Sequence, residues 1–200
     1  MKRVLQGVLL LLTLVSVCTA TATLTLNPVN GAITGAPGQT VGWGYTISDD
    51  TRWLVVAGTG FCSSFNTSTP DPFPCTNPVP GGSYLDFSLF NFILSAPNSP
   101  DTSQMTFSYN PPCSTGPCTG TGGYTINSNV PSGTLLSGVI VVDYNLFDGD
   151  PTNGGTQFGG DFFITMNASI LVVPEPGTWL LMGSALAGLG LARFRRRKQS

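Results

Sequence analysis

From Thr23 to Val173 the chain never settles into a helical period. Apolar side chains recur instead at every second position, between clusters of Gly, Pro, Ser and Asn. Period two marks a strand with one face buried, because successive side chains leave a strand on opposite sides. Val41, Trp43, Tyr45 and Ile47 share one face, and Gly42, Gly44, Thr46 and Ser48 the other. Ser48-Asp49-Asp50-Thr51 reads as a hairpin turn into a strand at Trp53–Ala57. Within Tyr84–Leu94 the apolar parity switches between Leu89 and Phe90, which predicts a bulged strand. Met105, Phe107 and Tyr109 make a short alternating run, and Tyr124–Ile126 a weaker one. The longest are Leu136–Leu146 and Phe162–Val172. About eight strands between turn signals predict an all-β fold, an antiparallel β-sandwich of the immunoglobulin-like kind.

The two ends depart from this pattern. Met1-Lys2-Arg3, the apolar Val4–Val17 and the small residues Ala20-Thr21-Ala22 have the order of a secretory signal peptide, with cleavage expected after Ala22. At the other end Thr178–Ala192 carries no charge and would make about 22 Å of helix. Extended from Gly177 to Phe194 it reaches about 27 Å, close to a hydrocarbon core of about 30 Å. The expected division is a leader at 1–22, a β ectodomain at 23–172 and a C-terminal segment at 173–200 with a membrane helix at 178–194. Arg193, Arg195, Arg196, Arg197 and Lys198 follow as a stop-transfer cluster. The positive-inside rule places them in the cytoplasm and the body outside.

Export governs how the cysteines are read. Cys18 leaves with the leader, so Cys62, Cys75, Cys113 and Cys118 remain, an even number in an oxidising compartment. Four allow three connectivities, and proximity favours Cys62–Cys75 and Cys113–Cys118. Thiolate metal binding is disfavoured, since CxxC spacing and histidine are both missing.

Charge excludes one class of partner. The chain carries 8 Lys and Arg against 10 Asp and Glu. Without its ends, Arg52 is the only basic residue of the body, facing nine aspartates, for a net charge of about −8. Nucleic acid needs a basic footprint and is not an expected partner.

Catalysis finds little to work with. The sequence has no histidine, which removes Ser-His-Asp and Cys-His arrangements, and the body has no lysine for Schiff-base chemistry. Asp49-Asp50 is the only adjacent carboxylate pair, and its expected hairpin position makes it a turn element rather than an acid pair. No catalytic residue and no cofactor is expected. Asp148, Asp150 and Asp161 gather oxygen donors around a Gly/Asn-rich loop and are weak calcium candidates. They lack the EF-hand pattern, because Gly159 stands where a bidentate Glu belongs. Trp43 and Trp53 are expected in the core, whereas Phe65 and Phe73, inside the Cys62–Cys75 loop, are candidates for stacking on a sugar or partner.

Val173-Pro174-Glu175-Pro176, followed by an apolar helix and a terminal basic cluster, resembles the PEP-CTERM sorting signal of Gram-negative bacteria. The likeness covers Val173–Lys198. It implies recognition of Pro174, Glu175 and Pro176 by exosortase, a membrane protease. It also implies an inner-membrane precursor with its body in the periplasm, then delivery to the cell surface or an extracellular polysaccharide matrix. On that reading the protein is a structural or adhesive surface protein without enzymatic activity. A carbohydrate-binding module is the alternative. Residues 31–51, GAITGAPGQTVGWGYTISDDT, are separately similar to the opening of small exported sandwich domains, a likeness of fold alone.

Overall fold

The computed structural model describes residues 22–65, 75–114, 118–175, 177 and 181–184. The leader, Phe73, Pro176 and the basic cluster Arg193–Lys198 lie outside the described residues, as does most of the expected helix 178–194. No helix among the described residues is long and apolar enough to cross a membrane.

The all-β class expected from the alternation is what forms. Among the described residues ten strands follow one another: β1 (Thr23–Asn27), β2 (Ala32–Gly35), β3 (Thr40–Val41), β4 (Gly44–Ser48) and β5 (Trp53–Cys62), then β6 (Gly82–Asp86), β7 (Leu94–Ser95), β8 (Gly122–Ile126), β9 (Leu135–Phe147) and β10 (Gln157–Val172). They assemble as a β1-β4 pair, a five-stranded sheet β2-β10-β9-β5-β7 and a three-stranded sheet β3-β8-β6. Inward residues of all three sheets meet in one apolar cluster that includes Leu26, Trp43, Ile47, Phe61, Ile140 and Ile170. Its centre is aromatic. Phe61 lies 4.9 Å from Trp43 and meets Tyr124 edge-on at 5.4 Å, contacts worth about 0.5–1.5 kcal/mol each beyond area burial.

Val41, Trp43, Tyr45 and Ile47 do share a face, and all four are buried. The opposite, glycine-bearing face has its own reason. A Cβ on Gly42 would strike the Phe107 ring, and one on Gly44 the carbonyl of Met105. The segment around Gln104–Phe107 thus lies flush on this face, where any side chain would hold it off. Its Gln104 carbonyl accepts from Tyr45 N–H at 2.8 Å.

Four expectations are corrected. Ser48–Thr51 is not a hairpin: β4 pairs with β1, whereas β5 pairs with β9 and β7. The Asp49 carboxylate accepts from Thr51 N–H at 2.8 Å, Thr51 Oγ1 at 3.0 Å and Arg52 N–H at 2.8 Å. That Asx turn closes on itself and sends the chain to another sheet. Tyr84–Leu94 is not one bulged strand, because a turn at 87–91 separates β6 from β7. Met105–Tyr109 is no strand either; only Ser108 bridges across, to Thr119, while Phe107 stacks on Phe87 at 6.1 Å in a small cluster with Cys113 and Cys118. Finally, the pairing is not wholly antiparallel. β2 runs parallel to β10, with Ala32 opposite Ser169 and Gly35 opposite Val172.

Candidate functional site: the sorting junction

β10 is the longest strand, and it delivers the C-terminal segment. Its last residues alternate cleanly: Ala168, Ile170 and Val172 are buried while Leu171 faces out. Antiparallel pairing sets Ile170 opposite Leu136 and Leu171 opposite Leu135, and the parallel edge sets Val172 opposite Gly35. The strand end is then stitched on both sides. Gly133 N–H donates to the Val172 carbonyl at 2.7 Å, and Val172 N–H donates to the Thr134 carbonyl at 2.9 Å. Val173 N–H donates to the Gly35 carbonyl, also at 2.9 Å. Sheet pairing therefore continues one residue past the strand, into the first position of the VPEP motif.

Beyond that point the ladder stops for a chemical reason. Pro174 has no N–H to give, and its ring holds φ near −65°. Val173 and Pro174 are half-buried and Glu175 is exposed. Gly177 and Leu181–Ser184 are helical. The junction thus presents an extended segment with an exposed carboxylate directly beneath a rigid sheet, with no spacer. Sequence reasoning located the motif but missed its clamps, Gly35, Gly133 and Thr134. They act through backbone groups, which leave no trace in residue type.

The other expected site residues fall into separate places. Cys62 pairs with Cys75, and Cys113 with Cys118. Asp148 sits 3.2 Å from Arg52 Nε, and the Arg52 guanidinium lies 3.4 Å over the Phe158 ring. Asp150 caps the short 3-10 turn Pro151–Asn153, accepting from Thr152 N–H, Thr152 Oγ1 and Asn153 Nδ2. Those hydrogen bonds hold its carboxyl below the ordinary range. Asp161 is exposed on β10. Among the described residues no three Asp, Glu, Cys or His side chains are grouped as a metal ion would need. Phe65 packs on Phe163, with centroids 5.3 Å apart.

Two features had no sequence signal. Asp143 on β9 is buried with Oδ1 lacking a hydrogen-bond partner. Burial, then the charges of Asp161 and Asp86, push its carboxyl up to about 6. In addition a cleft of about 640 Å3 opens between β5 and β6, lined by Phe61, Tyr84, Leu85, Leu89 and Tyr124 among others. Its polar groups are committed internally. Asp86 accepts from Thr59 N–H, Thr59 Oγ1 and Ser88 N–H, and Tyr84 OH donates to Thr59.

The β body is stitched at its last strand to the segment that begins at Val173. Residues 172–197 match the family described as the PEP-CTERM protein-sorting motif. That segment marks the chain as an exported protein sorted by exosortase, with a membrane-anchored precursor. No curated protein matches the chain.

Proposed function

We propose that this protein is a non-enzymatic β-sandwich of the immunoglobulin-like kind, carried to the cell envelope or the extracellular polysaccharide matrix, where it acts structurally or adhesively. The observation that carries this reading is the unbroken passage from the last core strand into the sorting motif at Val172–Glu175. Such a passage makes the folded domain the cargo. The absence of histidine from the sequence and of lysine from the body favours a role without general-base or covalent amine chemistry. On this view Pro174, Glu175 and Pro176 are read by exosortase from the periplasmic side of the inner membrane.

Intact mass spectrometry of the protein recovered from cells and medium tests the reading. The expected product has lost the leader and everything beyond the motif. A product that keeps Arg193–Lys198 and is found in the cytosol would end it.

Carbohydrate binding without catalysis is the second reading, favoured by the half-buried Phe65–Phe163 pair outside the main core cluster. Loss of glycan retention on Phe65→Ala, with the melting temperature unchanged, would favour it over the structural role.

A further inference from the structure

The strand register sorts charge along the long axis of the domain. β9 runs from Leu135 beside the sorting junction to Phe147 at the opposite pole, about 40 Å at 3.3 Å per residue. Trp53 pairs with Phe147 at that far pole, which brings Asp49, Asp50, Arg52 and Asp148 there; Asp101, bridged to Ile47, joins them. Asp143 lies eight residues up β9 from Leu135, about 26 Å away. The junction pole is built from the turn at 36–39, the loop at 127–134 and the end of β10, tied together by Gly38 N–H to the Ile126 carbonyl and by the bonds at Val172. None of these segments carries a charge: the sequence has none in 23–48, 119–142 or 162–174.

At this pole, where the first charge past β10 is Glu175, Leu135 and Leu171 stand directly opposite each other, 61% and 41% exposed. An apolar cross-strand pair facing water needs a partner more than a scattered leucine does. Chain length limits what that partner is. Only Val173–Pro176 separates Val172 from Gly177, the first described helical residue after β10. Fully extended, that stretch spans at most about 18 Å, and Val173 is already held against Gly35. While the anchor is intact the leucine pair cannot leave the neighbourhood of the membrane surface.

We propose that the Leu135–Leu171 pole rests in the lipid interface of the membrane that holds the precursor, so that the body stands upright with Asp49, Asp50, Asp101, Asp143 and Asp148 turned away. The occupant is the bilayer itself. The fit is one of chemistry: a leucine-bearing pole whose strands and loops carry no charge costs little to bring against lipid, with Glu175 just beyond the strand end left in the headgroup layer, and a body of net charge about −8 is repelled by anionic headgroups unless its charge lies beyond a Debye length of about 8–10 Å. The inference rests on the membrane-anchored precursor reading.

The test uses the full-length precursor reconstituted in phosphatidylcholine vesicles. Leu135→Trp is compared with Leu89→Trp, a 71%-exposed position away from the junction pole, and each signal is taken over that of the parent. Lipids brominated near the glycerol backbone are expected to quench the added fluorescence at least two-fold more at position 135 than at 89. As a second measurement, the double change Leu135→Ser with Leu171→Ser should leave flotation intact and raise proteinase K cleavage within 173–177 at least three-fold. Equal quenching at the two positions, or unchanged cleavage in a chain that still floats, overturns the proposal while the anchor stands. Concentration-dependent burial of position 135 in detergent, without lipid quenching, overturns it in favour of a second copy. A chain that does not float with the vesicles overturns the anchor reading, and the docking with it.

Discussion

Val173 N–H meets the Gly35 carbonyl at 2.9 Å, so the first residue of the sorting motif is still held by a parallel neighbour strand. A protease that binds its substrate as an extended strand must compete with that contact for the same backbone group. Inserting Gly-Ser between Val172 and Val173 moves the motif off the Gly35 carbonyl while keeping Val173–Pro176 contiguous. Processing, followed by pulse-chase as the ratio of precursor to product, is expected to quicken at least two-fold. Slower processing would mean instead that the enzyme reads the motif in its sheet-held position.

The two disulfides should differ in weight. Cys62, fully buried, ends β5 and its bridge to Cys75 closes a separation of 13 residues, whereas Cys113–Cys118 closes 5 beside Phe87. Chain entropy assigns about 3 kcal/mol to the first and about 2 kcal/mol to the second. Urea unfolding of the Cys62→Ser/Cys75→Ser and Cys113→Ser/Cys118→Ser pairs checks the order. A larger loss from the second pair would show that its aromatic cluster, not loop closure, sets its value.

How much of this was legible depended on what held each segment. Strands β9 and β10 were read well because Leu136, Ile140, Val142, Tyr144 and Leu146 on one, and Ala168, Ile170 and Val172 on the other, enter the core at alternating positions, and burial is what writes alternation into a sequence. The same held for Val41, Trp43, Tyr45 and Ile47. Met105–Tyr109 alternates too, yet its Phe107 turns to a satellite cluster, and period alone does not say which core a residue joins. Asp49 looked like a hairpin residue because an Asx turn uses the same side chain whether the next strand pairs back or crosses to another sheet. The junction's partners were out of reach altogether. Gly35 and Thr134 contribute carbonyls, which every residue owns.

Asp143 is expected to make stability depend on pH. Desolvation, followed by Asp161 and Asp86, raises its carboxyl from 3.8 to about 6 in the folded protein. The folded state therefore binds the proton more tightly than the unfolded chain. Whatever this group contributes is present below pH 4 and lost as pH rises from about 4 to 6. Asp143→Asn removes the titration. Across that window the parent should lose about 2 kcal/mol relative to the variant. Urea midpoints at pH 4 and pH 7 measure it, and a gap between the two proteins that is the same at both would refute the assignment.

Two glycines separate space from backbone conformation as causes of instability. Gly138 lies in β9 with ordinary strand dihedrals, but a Cβ there would run into the Cys62 carbonyl and stand 2.6 Å from Val79 Cγ2. The carbonyl belongs to the paired strand and cannot rotate aside as a side chain would. Gly138→Ala should therefore cost about 2–3 kcal/mol, the upper part of the range for overpacking a core. Gly133, at the junction pole, is the converse. Nothing lies within 4 Å of its would-be Cβ, but its φ is +90°, where an L side chain is strained by about 1 kcal/mol or more. Gly133→Ala should cost about 1 kcal/mol, and because Gly133 N–H holds the Val172 carbonyl, it should also raise amide exchange at Val172 and Val173 several-fold. Gly138→Ala should leave exchange at those two amides within two-fold of the parent. Urea unfolding combined with hydrogen exchange distinguishes the two effects, and equal exchange at Val172 in both variants would mean that Gly133 is not a clamp of the sorting junction.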